Sequence, residues 1–151
     1  MTQLFVDTGG WIALLKRDDH MHAGAGAYYE AQVAESRRFL TTNYVIDETA
    51  TRLRYDAGLE AAVAFRRAVE RAVAERRLRV VWIDARLERE GWDILERYAD
   101  IPLSLTDATS AAVARRVEAT EVFGFDRHFR ALGFDLQPAQ ASPRLARPHA
   151  G

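Results

Sequence analysis

The sequence predicts an α/β/α chain in three layers about a mainly parallel sheet of about five strands. Three observations lead there. Short apolar runs rich in β-branched and aromatic residues alternate with longer stretches of helical apolar spacing, the order that parallel strands with crossover helices require. At 151 residues, 48% of them apolar, the chain can bury about two thirds of its unfolded surface, enough for one core and not comfortably for two. No repeat or linker divides it, so residues 1–137 read as one domain. Residues 138–151, where Pro, Ala, Gln, Ser and Arg follow without periodicity, read as a mobile tail.

The elements follow in order. Leu4-Phe5-Val6 is an apolar strand ending in Asp7; Thr8-Gly9-Gly10 turns the chain, and Trp11, Ile12, Leu14 and Leu15 resume at helical spacing. A second helix spans about Ala23 to Ser36, a strand Phe39-Leu40-Thr41, and a helix Tyr44 to Tyr55, stopped by Gly58. Leu59 to Arg77 is amphipathic, with Val63, Val69 and Val73 inward. Val80-Val81-Trp82-Ile83 is the clearest buried strand, continuously apolar. Arg86 to Tyr98 is helical with Leu87, Ile94, Leu95 and Tyr98 on one stripe. Ser104 or Thr106 then caps a helix running to about Ala119. Val122 to Phe125 is a strand leading to Asp126, followed by a short helix closed by Gly133 and a last strand at Phe134-Asp135-Leu136.

Composition excludes several chemistries. With no cysteine there is neither a disulfide framework nor a thiolate zinc site, and the four histidines are too scattered to replace one. Any metal must be a hard ion held by oxygen. No apolar run approaches the roughly 20 residues that span a bilayer, and no basic segment leads into a long apolar stretch at the start. The expectation is a soluble, cytoplasmic protein. A net charge of −1 gives no global pull toward nucleic acid, so charge must be sorted locally. Lys16 is the sole lysine among 21 basic residues, and arginines cluster at Arg66, Arg67, Arg71, Arg76, Arg77 and Arg79. Their guanidinium forks suit phosphate, though for any single arginine a solvated helix face is the slightly better account.

Four acids occupy positions that could face one cleft at the carboxyl ends of the strands. Asp7 and Asp126 follow predicted strands, Asp107 opens a helix, and Glu48 lies in the first turns of another. Carboxylates so gathered repel and need a cation, and oxygen-only ligation favours Mg²⁺ or Mn²⁺, which can orient a phosphodiester and activate water. Each acid also has a structural explanation. Asp7, Asp107 and Asp126 could cap helices, and Glu48 could pair with Arg52. The case rests on the combination. Asp47 sits about 100° round the helix from Glu48, so only one of the two can point into a shared site.

The segments Leu4-Phe5-Val6-Asp7-Thr8, Leu40 to Thr49, Leu103-Ser104-Leu105-Thr106-Asp107-Ala108 and Phe123 to Phe129 together resemble the PIN-domain family, and closely its VapC-type toxins. The resemblance runs from about Leu4 to Leu136, with no gap in the metal motifs. It implies a PIN-like fold with metal ligands at Asp7, Glu48, Asp107 and Asp126, and it selects Glu48 over Asp47. It gives Thr106 the role of orienting the third acid or a water. It further implies an Mg²⁺- or Mn²⁺-dependent endoribonuclease acting on RNA, usually a homodimer, restrained by a cognate antitoxin as in type II toxin–antitoxin systems.

Rival readings meet specific obstacles. A haloacid-dehalogenase-like phosphatase would want an acid two residues after Asp7, where Gly9 stands, and a response-regulator receiver would want a late lysine. A histidine-driven ribonuclease needs two poised imidazoles, whereas His20, His22 and His128 are expected at the surface. A housekeeping PIN nuclease without an antitoxin, or a dimeric interaction module whose acids only cap helices, completes the alternatives. Trp11 and Tyr44 are candidate stacking platforms for RNA, with core packing as the competing fate.

Overall fold

Five parallel strands run in the order β3-β2-β1-β4-β5 in the computed structural model, which describes residues 2–139. The strands are β1 (Leu4–Val6), β2 (Phe39–Thr42), β3 (Leu78–Val81), β4 (Glu121–Phe123) and β5 (Asp135–Gln137). Helices α1 (Thr8–Leu15) and α2 (His22–Ala34) separate β1 from β2, and α3 (Asn43–Ala57) and α4 (Leu59–Ala74) separate β2 from β3. Between β3 and β4 lie α5 (Ala85–Arg97) and α6 (Leu105–Arg116), and α7 (His128–Ala131) precedes β5. Helix packing links α2, α1, α3 and α4 in series and pairs α5 with α6, the two sets meeting where α3 touches α6. Among the described residues no helix is long and apolar enough to cross a membrane.

The strand order dictates where a site can form. From β1 the chain steps outward to β2 and β3, then returns to place β4 on the other side of β1. The order therefore reverses between β1 and β4, and connections leaving their carboxyl ends diverge to open a crevice. Two glycines let the elements close around it. A Cβ on Gly10 would meet the Phe123 carbonyl oxygen at 2.4 Å, so only glycine lets α1 lie against β4. A Cβ on Gly124 would come within 3.1 Å of the Asp7 Cβ.

Leu4, Phe5, Leu40, Phe65, Val122 and Phe123 are fully buried, since the central strands carry helices over their faces. The element plan matches the sequence expectation, with corrections. The strand at 80–83 begins and ends earlier, at Leu78–Val81, and Trp82 is 73% exposed. β3 is a sheet edge, so β-branched composition marks the strand without burying it. On α4 the inward stripe is Phe65, Val69 and Ala72, leaving Val73 exposed; the neighbour of an inward residue lies about 100° round the helix. α6 ends at Arg116 rather than near Ala119, where Glu118 takes φ 57° and the Ala119 N–H returns to the Ala114 carbonyl. The expected tail at 138–151 lies outside the described residues from position 140 on.

Candidate metal centre

Asp7 leaves β1 at the head of α1. Its carbonyl accepts the Trp11 N–H at 3.1 Å and its backbone is extended, yet its side chain makes no capping bond. The carboxylate is left for the crevice, where it is only 5% exposed. Burial pushes its pKa up to about 7; the nearby charge of Asp107 adds to this, as do Glu48 and Asp126, while the Thr8 amide opposes.

Asp107 does cap. At the third position of α6 it accepts the Ser104 N–H through Oδ2 at 3.0 Å, and the Ser104 hydroxyl accepts the Asp107 N–H at 3.0 Å, a reciprocal capping box. One carboxylate oxygen is occupied and the other is available. Burial still raises its pKa, with the Asp126 charge in support and the Ser104 bonds and His128 against. Glu48 projects from α3, a helix started by the Thr42 side chain accepting the Val45 N–H at 3.1 Å. Half-buried, it too has a raised pKa, through desolvation first and then Asp107; Arg52 and the Thr106 hydroxyl oppose. It makes no ion pair with Arg52, although both face the same space.

Asp126 does not follow its strand directly. β4 stops at Phe123, and Gly124 and Phe125 intervene. The Asp126 Oδ1 accepts the His128 N–H at 2.9 Å and stands 3.1 Å from the His128 Nδ1. Asp7, Glu48, Asp107 and Asp126 all line one cleft of about 400 Å³, with Thr8, Asp19, His20 and Arg52 on its wall. Asp107, Asp126 and His128 can bring ligand atoms within 4.8 Å of one another. The buried Thr8 hydroxyl has no hydrogen-bond partner. An oxygen-rich donor set of crowded carboxylates, with an orphaned hydroxyl beside it, fits a hard divalent cation.

The family model described as the PIN domain matches residues 4–135. The chain belongs to the PIN-domain family. The 23S rRNA-specific endonuclease VapC20 of Mycobacterium tuberculosis is 34% identical over 131 residues, covering 87% of this chain and 95% of that protein. The crystal structure of M. tuberculosis VapC20, described as a Sarcin-Ricin loop cleaving toxin, superposes with TM-score 0.77 at 33% identity, over 87% of this chain and 96% of that one. VapBC2 from Rickettsia felis, bound to a promoter DNA fragment, shares the fold at TM-score 0.63 and 12% identity, over 89% of this chain and 96% of the other.

Against this PIN framework, sequence reasoning missed His128. It was expected at the surface, but it is partly buried, clamped to Asp126 and close to Asp107. The signal was available in Asp126-Arg127-His128, where an acid just past a strand meets an imidazole at the next helix start. Asp19 comes to the cleft on the loop between α1 and α2, and His20 beside it lines the cleft while keeping the exposure expected of it. Trp11 is no stacking platform: it is 6% exposed, edge-on to Phe65 at 5.6 Å, with Nε1 3.5 Å from the Thr41 hydroxyl. Tyr44 donates its hydroxyl to Glu88 at 2.6 Å and is absent from the cleft wall. Asp47 is exposed and lies off the cleft, and Thr106 is not among the residues that line it.

Proposed function

We propose that this chain is a divalent-metal-dependent endoribonuclease that hydrolyses RNA phosphodiesters and serves as the toxin of a VapBC-type pair. The observation that carries the reading is the convergence of four carboxylates on one cleft, three with raised pKa, in a chain 34% identical to a 23S rRNA-specific endonuclease. Asp7, Glu48 and Asp107 hold the cation, Mg²⁺ or Mn²⁺, with Asp126 as a further or water-mediated ligand. Bound there, the ion supplies Lewis acidity toward the phosphate and lowers the pKa of water.

The remaining work falls to this chain's own groups. The carboxylates of Asp7, Glu48 and Asp107 would meet the cation in their ionised form, which burial disfavours in its absence. Thr106, next to Asp107 at the head of α6, orients the third acid or a water, and His128 fixes the Asp126 carboxylate. Arg52, on the cleft wall one turn beyond Glu48, offers a guanidinium to the phosphodiester without neutralising the acids by direct pairing. Four carboxylates rather than an imidazole pair dominate the cleft, which supports attack by water and products with 5′-phosphate and 3′-hydroxyl ends. The protein is proposed to work in the cytoplasm as a homodimer. Its antitoxin inhibits by inserting an arginine or lysine toward Asp7, Glu48 and Asp107, which attract a guanidinium when metal is displaced. The apolar hollow bordered by Leu14, Leu15 and Tyr29 supplies contact area; Trp11 forms its buried floor.

The test is to incubate the purified protein with ribosomes in Mg²⁺, with and without chelator, and to map new RNA ends. Discrete 5′-phosphate ends that vanish with chelator are expected, with 23S rRNA the first substrate to try. Cyclic 2′,3′-phosphate ends or full activity in excess chelator would overturn the chemistry.

A further inference from the structure

The open edge of β3 borders a groove of about 760 Å³ beside α4, with no wall residue in common with the acidic cleft. Its floor is apolar, built from Ile46, Val69, Val80 and the exposed Val73 and Trp82. A bare indole beside an exposed valine in a concave wall is the kind of surface that marks a contact site. The rim is cationic. Arg66 and Arg77 are held by Glu70 and Glu75, but Arg38, Arg76 and Arg79 form no ion pair among the described residues.

The backbone offers a second kind of recognition. The Phe39 N–H donates to the Arg77 carbonyl at 2.8 Å while Phe39 stands in register with Leu78. Alternation along the strand then turns the N–H and C=O of Arg79 toward β2 and those of Leu78 and Val80 outward at the open edge. We infer that this groove docks an extended acidic segment of a partner protein, added as a strand along β3 with apolar side chains on the floor and carboxylates against Arg38, Arg76 and Arg79.

Charge decides the occupant. A second copy paired edge to edge would set these arginines against their own counterparts. The chain's residues 140–151 contain Arg144 and Arg147 and no acid, so they are repelled as well. An RNA strand would meet the arginines and could stack on Trp82, but it would leave the outward peptide groups unpaired. An acidic peptide satisfies the rim, the floor and the edge together.

The probe is a fluorescein-labelled peptide of alternating valine and glutamate, titrated into the full chain at low salt, with amide hydrogen exchange followed in parallel. Saturable binding is expected, with slowed exchange at the Leu78 and Val80 amides. Affinity should fall at least about tenfold in the Arg76→Glu/Arg79→Glu double variant, since both contacts become repulsive. Val80→Pro should have a similar effect, because it deletes an outward N–H that an edge strand can spare. If circular dichroism shows Val80→Pro unfolded, the arginine variant and the exchange pattern decide alone. The inference falls if the peptide does not bind, if a valine–lysine peptide binds as well, or if folded Val80→Pro binds normally. Tighter binding of an oligouridylate with the same arginine dependence would make this an RNA surface. A concentration-dependent dimer lost in Val80→Pro would make it a contact between copies.

Discussion

Two concave regions of this small chain carry opposite charge, and their charges are held in opposite ways. The cleft at the carboxyl ends of β1 and β4 gathers four acids, the most buried of them Asp7 at 5% exposure. The groove at the β3 edge spreads arginines around an apolar floor, where water still reaches them. A net charge of −1 conceals both. Crowded carboxylates oppose folding, as their raised pKa values show, so their position calls for a compensating ion. Exposed arginines cost little, and on an edge strand they also discourage self-pairing. Burial, rather than net charge, separates a site that needs a cation from a surface that merely prefers an anion.

The comparison breaks most decisively at Asp7. Asp7→Asn is expected to lower RNA cleavage at least about 100-fold, because in the proposed mechanism several kcal/mol of transition-state stabilisation depend on the cation that Asp7 would hold. Glu48→Gln and Asp107→Asn should act in the same direction. Asp107→Asn should keep the α6 cap, since an amide oxygen can still accept the Ser104 N–H. Wild-type rates in a folded variant would remove that residue from the centre. By contrast, Arg79→Glu at the β3 edge should leave cleavage of a short RNA intact.

Stability should follow pH through Asp7 in metal-free protein. Its carboxyl has a pKa of about 7 in the fold against 3.8 for an ordinary aspartate, so the folded state holds the proton more tightly. The associated stability is complete below 3.8 and is lost as pH rises through about 7. Urea unfolding in chelator should give wild type a lower midpoint at about pH 8 than at about pH 5.5, with a loss through Asp7 of about 2 kcal/mol. Asp7→Asn should flatten most of that slope and be the more stable protein at the higher pH. Adding Mn²⁺ at about pH 8 should restore wild type by mass action, about 2.7 kcal/mol at a hundredfold excess over Kd. An equal pH slope in both proteins would separate Asp7 from the crowding.

The acids were legible in the sequence because strand ends and helix starts fix backbone direction locally, and Asp7 and Asp107 sit at such junctions. What local pattern could not reveal was how two similar helix-start aspartates divide their work. Asp107 spends an oxygen on Ser104, whereas Asp7 makes no cap, because β4 and Gly124 close over it from a hundred residues away in sequence. The β3 edge was misread for a related reason. Val80 and Val81 report strand propensity, but whether another strand lies beyond them depends on sheet order, which periodicity does not encode. His128 was hidden because an imidazole in a turn has no periodicity to report its neighbours.

A smaller effect is expected at His128. It clamps Asp126 through the backbone N–H at 2.9 Å and the ring at 3.1 Å, and only the ring contact is lost in His128→Ala. Groups that orient a metal ligand typically change affinity 10- to 100-fold, and with half the clamp retained about tenfold is expected for Mn²⁺ by calorimetry. Unchanged affinity would reduce His128 to a helix-start residue.

The smallest effect, and the sharpest for charge sorting, concerns Arg52. It stands on the wall of an otherwise acidic cleft, exposed and without an ion pair to Glu48, so removing it should not disturb the fold. If it meets the phosphodiester in both ground and transition states, Arg52→Ala should raise KM several-fold with little change in kcat, the signature of lost uniform binding. One phosphate contact fewer should also flatten the dependence of log affinity on log salt by about 0.7 for a single-stranded RNA. Arg79→Glu, on the far groove, should leave that slope unchanged. If instead Arg79→Glu flattens the slope and Arg52→Ala does not, RNA tracks the β3 edge rather than the cleft mouth, and the assignment of partners to the two regions must be exchanged.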